Sequence, residues 1–224
     1  MSGAVDRMAA QLAAWDDAAD GRAVFLDCYL RMTHAVLDRI DDDGFDDPAW
    51  VARLLDRFAV YYFDSLDGGV ACRPIPEPWV LAHAAAVGAD AHPFQLLLAG
   101  VNAHINYDLV ATTFDVLADE WSDLDPAGRA IRRHDYDTIN DVIAATADLV
   151  QDEVLERRVP WFGVADRVLG RWDERAAVKL LTTWRTQVWR HTMELLDEPD
   201  PLRRGDRLVR LEHQCARRAR WLLV

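Results

Sequence analysis

Residues 94–115 read FQLLLAGVNAHINYDLVATTFD, and how this stretch folds decides the architecture. It is too long for one strand and shows no period-two alternation. Apolar side chains instead recur at helical spacing, with Leu97, Val101, Thr112 and Asp115 on the stripe that also carries His104 and Asp108. The spacing predicts one long helix from Pro93 to Asp119. Its centre is unusual for a buried helix, because Asn102, His104, Asn106 and Asp108 lie among the apolar residues. Polar groups in such a place are costly unless something meets them.

Outward from this helix the same periodicity repeats. VDRMAAQLAAWDDAA is amphipathic and stops at Gly21. RAVFLDCYLRMTHAVLDRI follows, with Leu26, Leu30, Thr33, Leu37 and Ile40 on one stripe and Tyr29 facing the same way. Asp47 and Pro48 form a cap and first turn for PAWVARLLDRFAVYYFDSL. The connector DGGVACRPIPEP leads to a short helix, EPWVLAHAAAVG. After the central helix, EWSDLDPAG is a break and HDYDTINDVIAATADLVQDEVLERR a long helix ending before Pro160. PWFGVADRVLG is short, DERAAVKLLTTWRTQVWRHTMELLD is long, and a last helix begins near Pro201. These readings add up to an all-α protein: a single bundle of eight to nine helices over residues 1–224 with a buried polar centre.

Composition narrows the function. The 224 residues are 51% apolar, include nine tryptophans and carry a formal net charge of -13. That balance opposes phosphate backbones and anionic lipid surfaces, so nucleic acid and membranes are not expected partners. The basic segment PLRRGDRLVRLEHQCARRARWLLV reads as a solvated face. Three scattered cysteines without a CxxC pair suit reduced thiols, and the N-terminus lacks the pattern of a signal peptide, so a cytoplasmic location is expected. RIDDDGFDDPAW matches only the middle of a calcium loop, since Arg39 and Trp50 occupy its first and last ligand positions.

His104 and Asp108 are one turn apart on the same helix face. Such a pair serves as a base with its orienting acid, as two ligands of a metal, or as a structural tie between helices. Asp137, with His134 and Asp141 on its face and Asn140 beside it, is a candidate third ligand, although a position near the helix start explains an acid equally well. Arg185, four residues before Trp189, is a candidate for pairing with a carboxylate or an anionic substrate group. Tyr62 lies near the end of the third helix, where it reads as core or as a pocket wall.

FQLLLAGVNAHINYDLV resembles the signature of DUF5995, a bacterial family of unknown function, which reads roughly LQHLLLGMNAHINLDL. HDYDTINDVI and WRTQVWRHTMEL resemble two further segments of that family, and the likeness runs along most of the chain. The matching positions are Gln95, Gly100, Asn102, His104, Asn106, Asp108, Asp137, Asn140, Arg185 and Trp189, while Leu96 stands where the family has histidine. The resemblance implies an all-helical fold and brings no established activity. HINYD is also similar to the HxxxD zinc-ligand segment of phospholipase C and P1-type nucleases, which extends to that segment alone.

Two functional expectations follow. In the first, the protein is a hydrolase of a small ester or phosphoester. His104, Asp108 and Arg185 are then catalytic, and Gln95, Asn102, Asn106, Asn140, Trp189 and Tyr62 bind. A divalent metal, if used, sits on His104, Asp108 and Asp137. In the second, the same residues form a structural polar network, or the wall of a pocket for a small-molecule ligand. A cavity beside His104 distinguishes a working site from a fully satisfied network.

Overall fold

The computed structural model describes residues 2–68, 74–88, 91–150 and 174–224, the side chains of 2, 147–150 and 174–177 aside. Every regular element among them is helical: α1 (Ser2–Asp17), α2 (Arg22–Asp41), α3 (Pro48–Leu66), α4 (Glu77–Val87), α5 (Pro93–Ala103), a π-helical turn (His104–Asp108), α6 (Leu109–Ala118), α7 (Pro126–Val150), α8 (Glu174–Leu196) and α9 (Pro201–Leu222). The fold is all-α. The short helix expected at PWFGVADRVLG, and Cys72 in the connector, lie outside the described residues.

Proline and aspartate punctuate the bundle. α3, α5, α7 and α9 each begin with a proline, where a missing N–H costs nothing and the fixed φ suits a first turn. Asp47 caps α3 by accepting the Trp50 N–H at 2.9 Å, and Asp200 caps α9 by accepting the Leu202 N–H at 2.9 Å. DDDG is a turn closing α2, with Asp43 at φ 54°. α7 starts eight residues earlier than the sequence pattern suggested, at Pro126 rather than His134. Asp125 secures that start by accepting the Gly128 N–H at 2.7 Å.

α5, the π turn and α6 run as one rod through the middle of the bundle. α2, α4 and α9 pack on α5, α3 and α8 pack on α6, and α3, α8 and α9 reach the π turn. The rod is therefore surrounded, which explains its apolar composition. Close packing also explains Gly100: a Cβ there would stand 2.6 Å from the Phe25 ring of α2, closer than any carbon can approach. The apolar core is shared by residues from all these helices, with Trp50, Tyr62, Trp79 and Tyr136 among its largest buried side chains. Along α2 the buried stripe is Leu26, Tyr29, Thr33 and Val36, whereas Leu30, Leu37 and Ile40 lie at its partly covered margin. No described helix is long and apolar enough to cross a membrane.

Candidate functional site

The expected single helix is interrupted at the residues that carry its polar side chains. At His104–Asp108 the backbone widens into a π turn, with the Leu109 N–H reaching the His104 carbonyl five residues back. π turns are unfavourable in isolation and recur at functional sites. Here the turn sorts its polar residues into two groups.

The first group faces α9. The Asn102 amide donates to the Cys215 carbonyl at 2.9 Å, and its oxygen lies 3.3 Å from both Asn106 Nδ2 and Arg218 Nη1. The Cys215 thiol in turn donates to the Asn106 carbonyl at 3.3 Å. Asn102 and Asn106, expected as binding residues, are instead a buried brace between the rod and the last helix. Gln95 has a similar structural task. It completes a capping box with His92, accepting that residue's N–H at 3.0 Å, and donates to the Leu222 carbonyl at 3.2 Å.

The second group faces the core. His104 is 3% and Asp108 1% exposed. Asp108 Oδ2 accepts the Trp79 indole N–H at 2.8 Å and lies 3.1 Å from His104 Nδ1. Indole nitrogen can only donate, and a proton on Nδ1 lets the same carboxylate oxygen serve both neighbours. Nε2 is then a bare acceptor, an assignment made from the hydrogen-bond network. Aromatic rings fix the imidazole: Phe58 stacks on it with centroids 3.5 Å apart and planes 8° from parallel, and Tyr29 meets it at 4.3 Å. Burial holds the His104 pKa well below its ordinary value, so the ring is neutral. Burial also pushes the Asp108 carboxyl well up, against the opposing pull of the Trp79 hydrogen bond.

His104 Nε2 has no hydrogen-bond partner among the described residues. Trp50 Nε1, Thr112 Oγ1 and Thr192 Oγ1 share that condition, but of the four residues only His104 lines a cavity of about 110 Å³ between α2, α3, the rod, α7 and α8. The walls are Phe25, Tyr29, Val36, Leu54, Phe58, Val101, Ile139 and other mostly apolar residues, with Arg185 at one part of the wall. Asp108 and Trp79 do not line it. The imidazole therefore turns one edge toward the buried Asp108, while the residue as a whole lines the cavity.

Other expected site residues lie elsewhere. Asp137 does not join His104 and Asp108: α7 begins at Pro126, so Asp137 is a mid-helix residue, its side chain 42% exposed and bonded to Arg133 Nε at 2.6 Å. The expected metal set His104–Asp108–Asp137 is thus not assembled. Among the described residues no three His, Cys, Asp or Glu side chains are grouped to hold a metal ion. Asn140 reaches the cavity's edge indirectly, by accepting Arg185 Nε at 2.7 Å. Trp189 packs on Tyr136 with centroids 5.0 Å apart, away from the cavity. Tyr62 packs between Phe25 and Trp79 and is core.

The sequence pattern did not single out Trp79, Phe58 or the apolar wall from α2 and α3. Trp79 left one signal, an indole whose buried N–H needs an acceptor. Phe58 left none beyond its place on an apolar stripe. Cys28 also lines the cavity, but burial pushes its thiol up to about 12, so it is not a thiolate nucleophile at neutral pH.

No curated protein and no solved structure matches this chain significantly. A family model does match, over residues 1–224, and the chain is thereby a member of DUF5995, a family of unknown function.

Proposed function

We propose that this protein binds a small, mainly apolar molecule in the cavity beside His104, with one hydrogen-bond donor of the ligand meeting His104 Nε2. One observation carries this reading: a buried, neutral imidazole, held on its other edge by Asp108, leaves Nε2 without a partner among the described residues, in a residue that lines a mostly apolar cavity. A wholly structural network would satisfy that atom. The volume suits a ligand of the size that apolar protein cavities accept, near that of a single aromatic ring.

Hydrolysis of an ester is the second reading, favoured by the Trp79–Asp108–His104 chain, which orients a base. Water would then be the nucleophile, because the Thr33 hydroxyl is spent on the Tyr29 carbonyl at 2.8 Å and Cys28 is protonated. An apolar cavity holds water poorly, since a buried water needs two to four polar partners. Binding therefore ranks ahead of hydrolysis, and phosphoester hydrolysis behind both.

Indole tests the first reading: it is an apolar ring with one N–H donor. Saturable binding by calorimetry is expected for the wild type. It should vanish in Leu54→Trp, which fills the cavity, and weaken in His104→Phe, which removes the acceptor. Equal binding by wild type and Leu54→Trp would place indole elsewhere and sink the reading. Turnover of p-nitrophenyl butyrate, abolished in His104→Phe, would move the hydrolase reading to first place.

A further inference from the structure

Two buried arginines in this bundle are answered differently. Arg132 of α7 is 9% exposed and meets two carboxylates: Nε bonds Glu120 at 2.7 Å and Nη1 bonds Asp47 at 2.7 Å. Arg185 of α8 is more deeply buried, at 3%, and meets none among the described residues. Its Nε donates to Asn140 Oδ1 at 2.7 Å and its Nη2 to the Tyr136 carbonyl at 2.7 Å. The Tyr136 ring lies under the guanidinium, 4.3 Å from centroid to Cζ, and its hydroxyl donates back to the Arg185 carbonyl at 2.9 Å. Every one of these partners is neutral. They fix the fork in place without cancelling its charge.

A guanidinium stays protonated even where burial lowers its pKa, as it does here. A buried cation without a counter-charge is among the costliest arrangements in a protein interior. The Asp137 charge acts on Arg185 only from a distance, because its carboxylate bonds Arg133 instead. Of its five N–H bonds, those to Asn140 and Tyr136 are the ones used among the described residues, which leaves donors on both terminal nitrogens. Arg185 lines the same cavity as His104.

We infer that the cavity takes a small carboxylate with an apolar body: the carboxylate pairs with Arg185, the body fills the space between α2, α3 and α7, and a neutral donor on the ligand faces His104. This rests on the pocket reading above and names its ligand class. The two polar groups divide the work by charge. His104 Nε2 is a lone pair and repels an anion, so the carboxylate belongs at Arg185, where two N–H groups can hold it in a bidentate pair.

Matched probes test this. Hexanoate is compared with hexanol, and indole-3-acetate with 3-methylindole, by calorimetry at pH 7.5 on the wild-type protein. Each acid is expected to bind at least tenfold more tightly than its neutral partner. Arg185→Met, similar in volume and without charge, should erase that preference and retain binding of the neutral probes. Equal affinity of acid and neutral partner in the wild type overturns the inference, as does a preference that survives in Arg185→Met. The wild-type comparison decides the matter even if the variant does not fold. If indole binds and none of the four probes does, the carboxylate assignment falls alone; if indole also fails, the pocket reading falls with it.

Discussion

Two pairs of polar residues sit on one rod, each four residues apart, and they differ in what they lack. Asn102 and Asn106 lack nothing: their side chains and the facing Cys215 and Arg218 of α9 exchange hydrogen bonds in a closed set. His104 and Asp108 are equally buried, yet His104 Nε2 has no partner among the described residues, and His104 lines a cavity. Position on a helix and burial are the same for both pairs. The difference lies in what the neighbouring helix offers: backbone and side-chain partners from α9 in one case, aromatic and aliphatic walls from α2 and α3 in the other. A satisfied pair holds the fold together, and an unsatisfied one is maintained at a cost that a ligand can offset.

The largest effect should come from breaking the satisfied pair. Asn102→Ala removes three hydrogen bonds and leaves the buried Asn106 amide without its acceptor, and a loss of about 2–3 kcal/mol is expected in urea denaturation. His104→Phe keeps an aromatic ring over Phe58 and leaves Asp108 its bond to Trp79, so about 1 kcal/mol or less should be lost. Should the two variants prove equally unstable, the comparison collapses and His104 is a brace like Asn102. Leu54→Trp sharpens the contrast further. Filling the void should shift stability by less than about 1 kcal/mol in either direction, because new packing and strain oppose each other, while indole binding is lost.

Acid has the most gradual effect, small just below pH 6.5 and growing as pH falls. His83 lies beside Ser65 and stacks on Trp79, and burial, aided by the Arg22 charge and opposed by Asp20, lowers its pKa to about 4. Below pH 6.5 the unfolded chain binds a proton there that the folded chain refuses. Stability is therefore fully present above pH 6.5 and falls between pH 6.5 and about 4, at most by about 1.4 kcal/mol per pH unit. His83→Gln should flatten melting temperature against pH in that window. His104 contributes with the same sign and Asp108 with the opposite one, since a raised carboxyl favours the folded state as pH falls. A His83→Gln profile as steep as the wild type's would locate the acid sensitivity elsewhere.

Much of this was legible in the residues. Helical periodicity, prolines at first turns and aspartate caps announce α3, α5 and α9, because those signals are local. The polar centre was legible too, since His104 and Asp108 interrupt an apolar run. Their opposite fates from Asn102 and Asn106 were not, because the partners come from other helices, 29 to 116 residues away. Asp137 was misplaced for a related reason: PAGRAIRR reads as a loop after DLD, yet it forms the first two turns of α7 and supplies Arg133 as a partner. The widening at His104–Asp108 has no propensity signature at all.

That widening also fixes the length of the rod. A π turn accommodates one more residue than regular α-helix would, so α6 keeps the phase it would have if the rod were a uniform helix one residue shorter. Deleting any single residue between 104 and 108 would let the rod relax into uniform α-helix with α5 and α6 still facing their neighbours. Asp115 would stay with Arg57 and Tyr61, while the side chains of the turn itself would shift against Trp79 and Phe58. A one-codon deletion in the turn should therefore spare the bundle and spoil the His104–Asp108 arrangement at its centre.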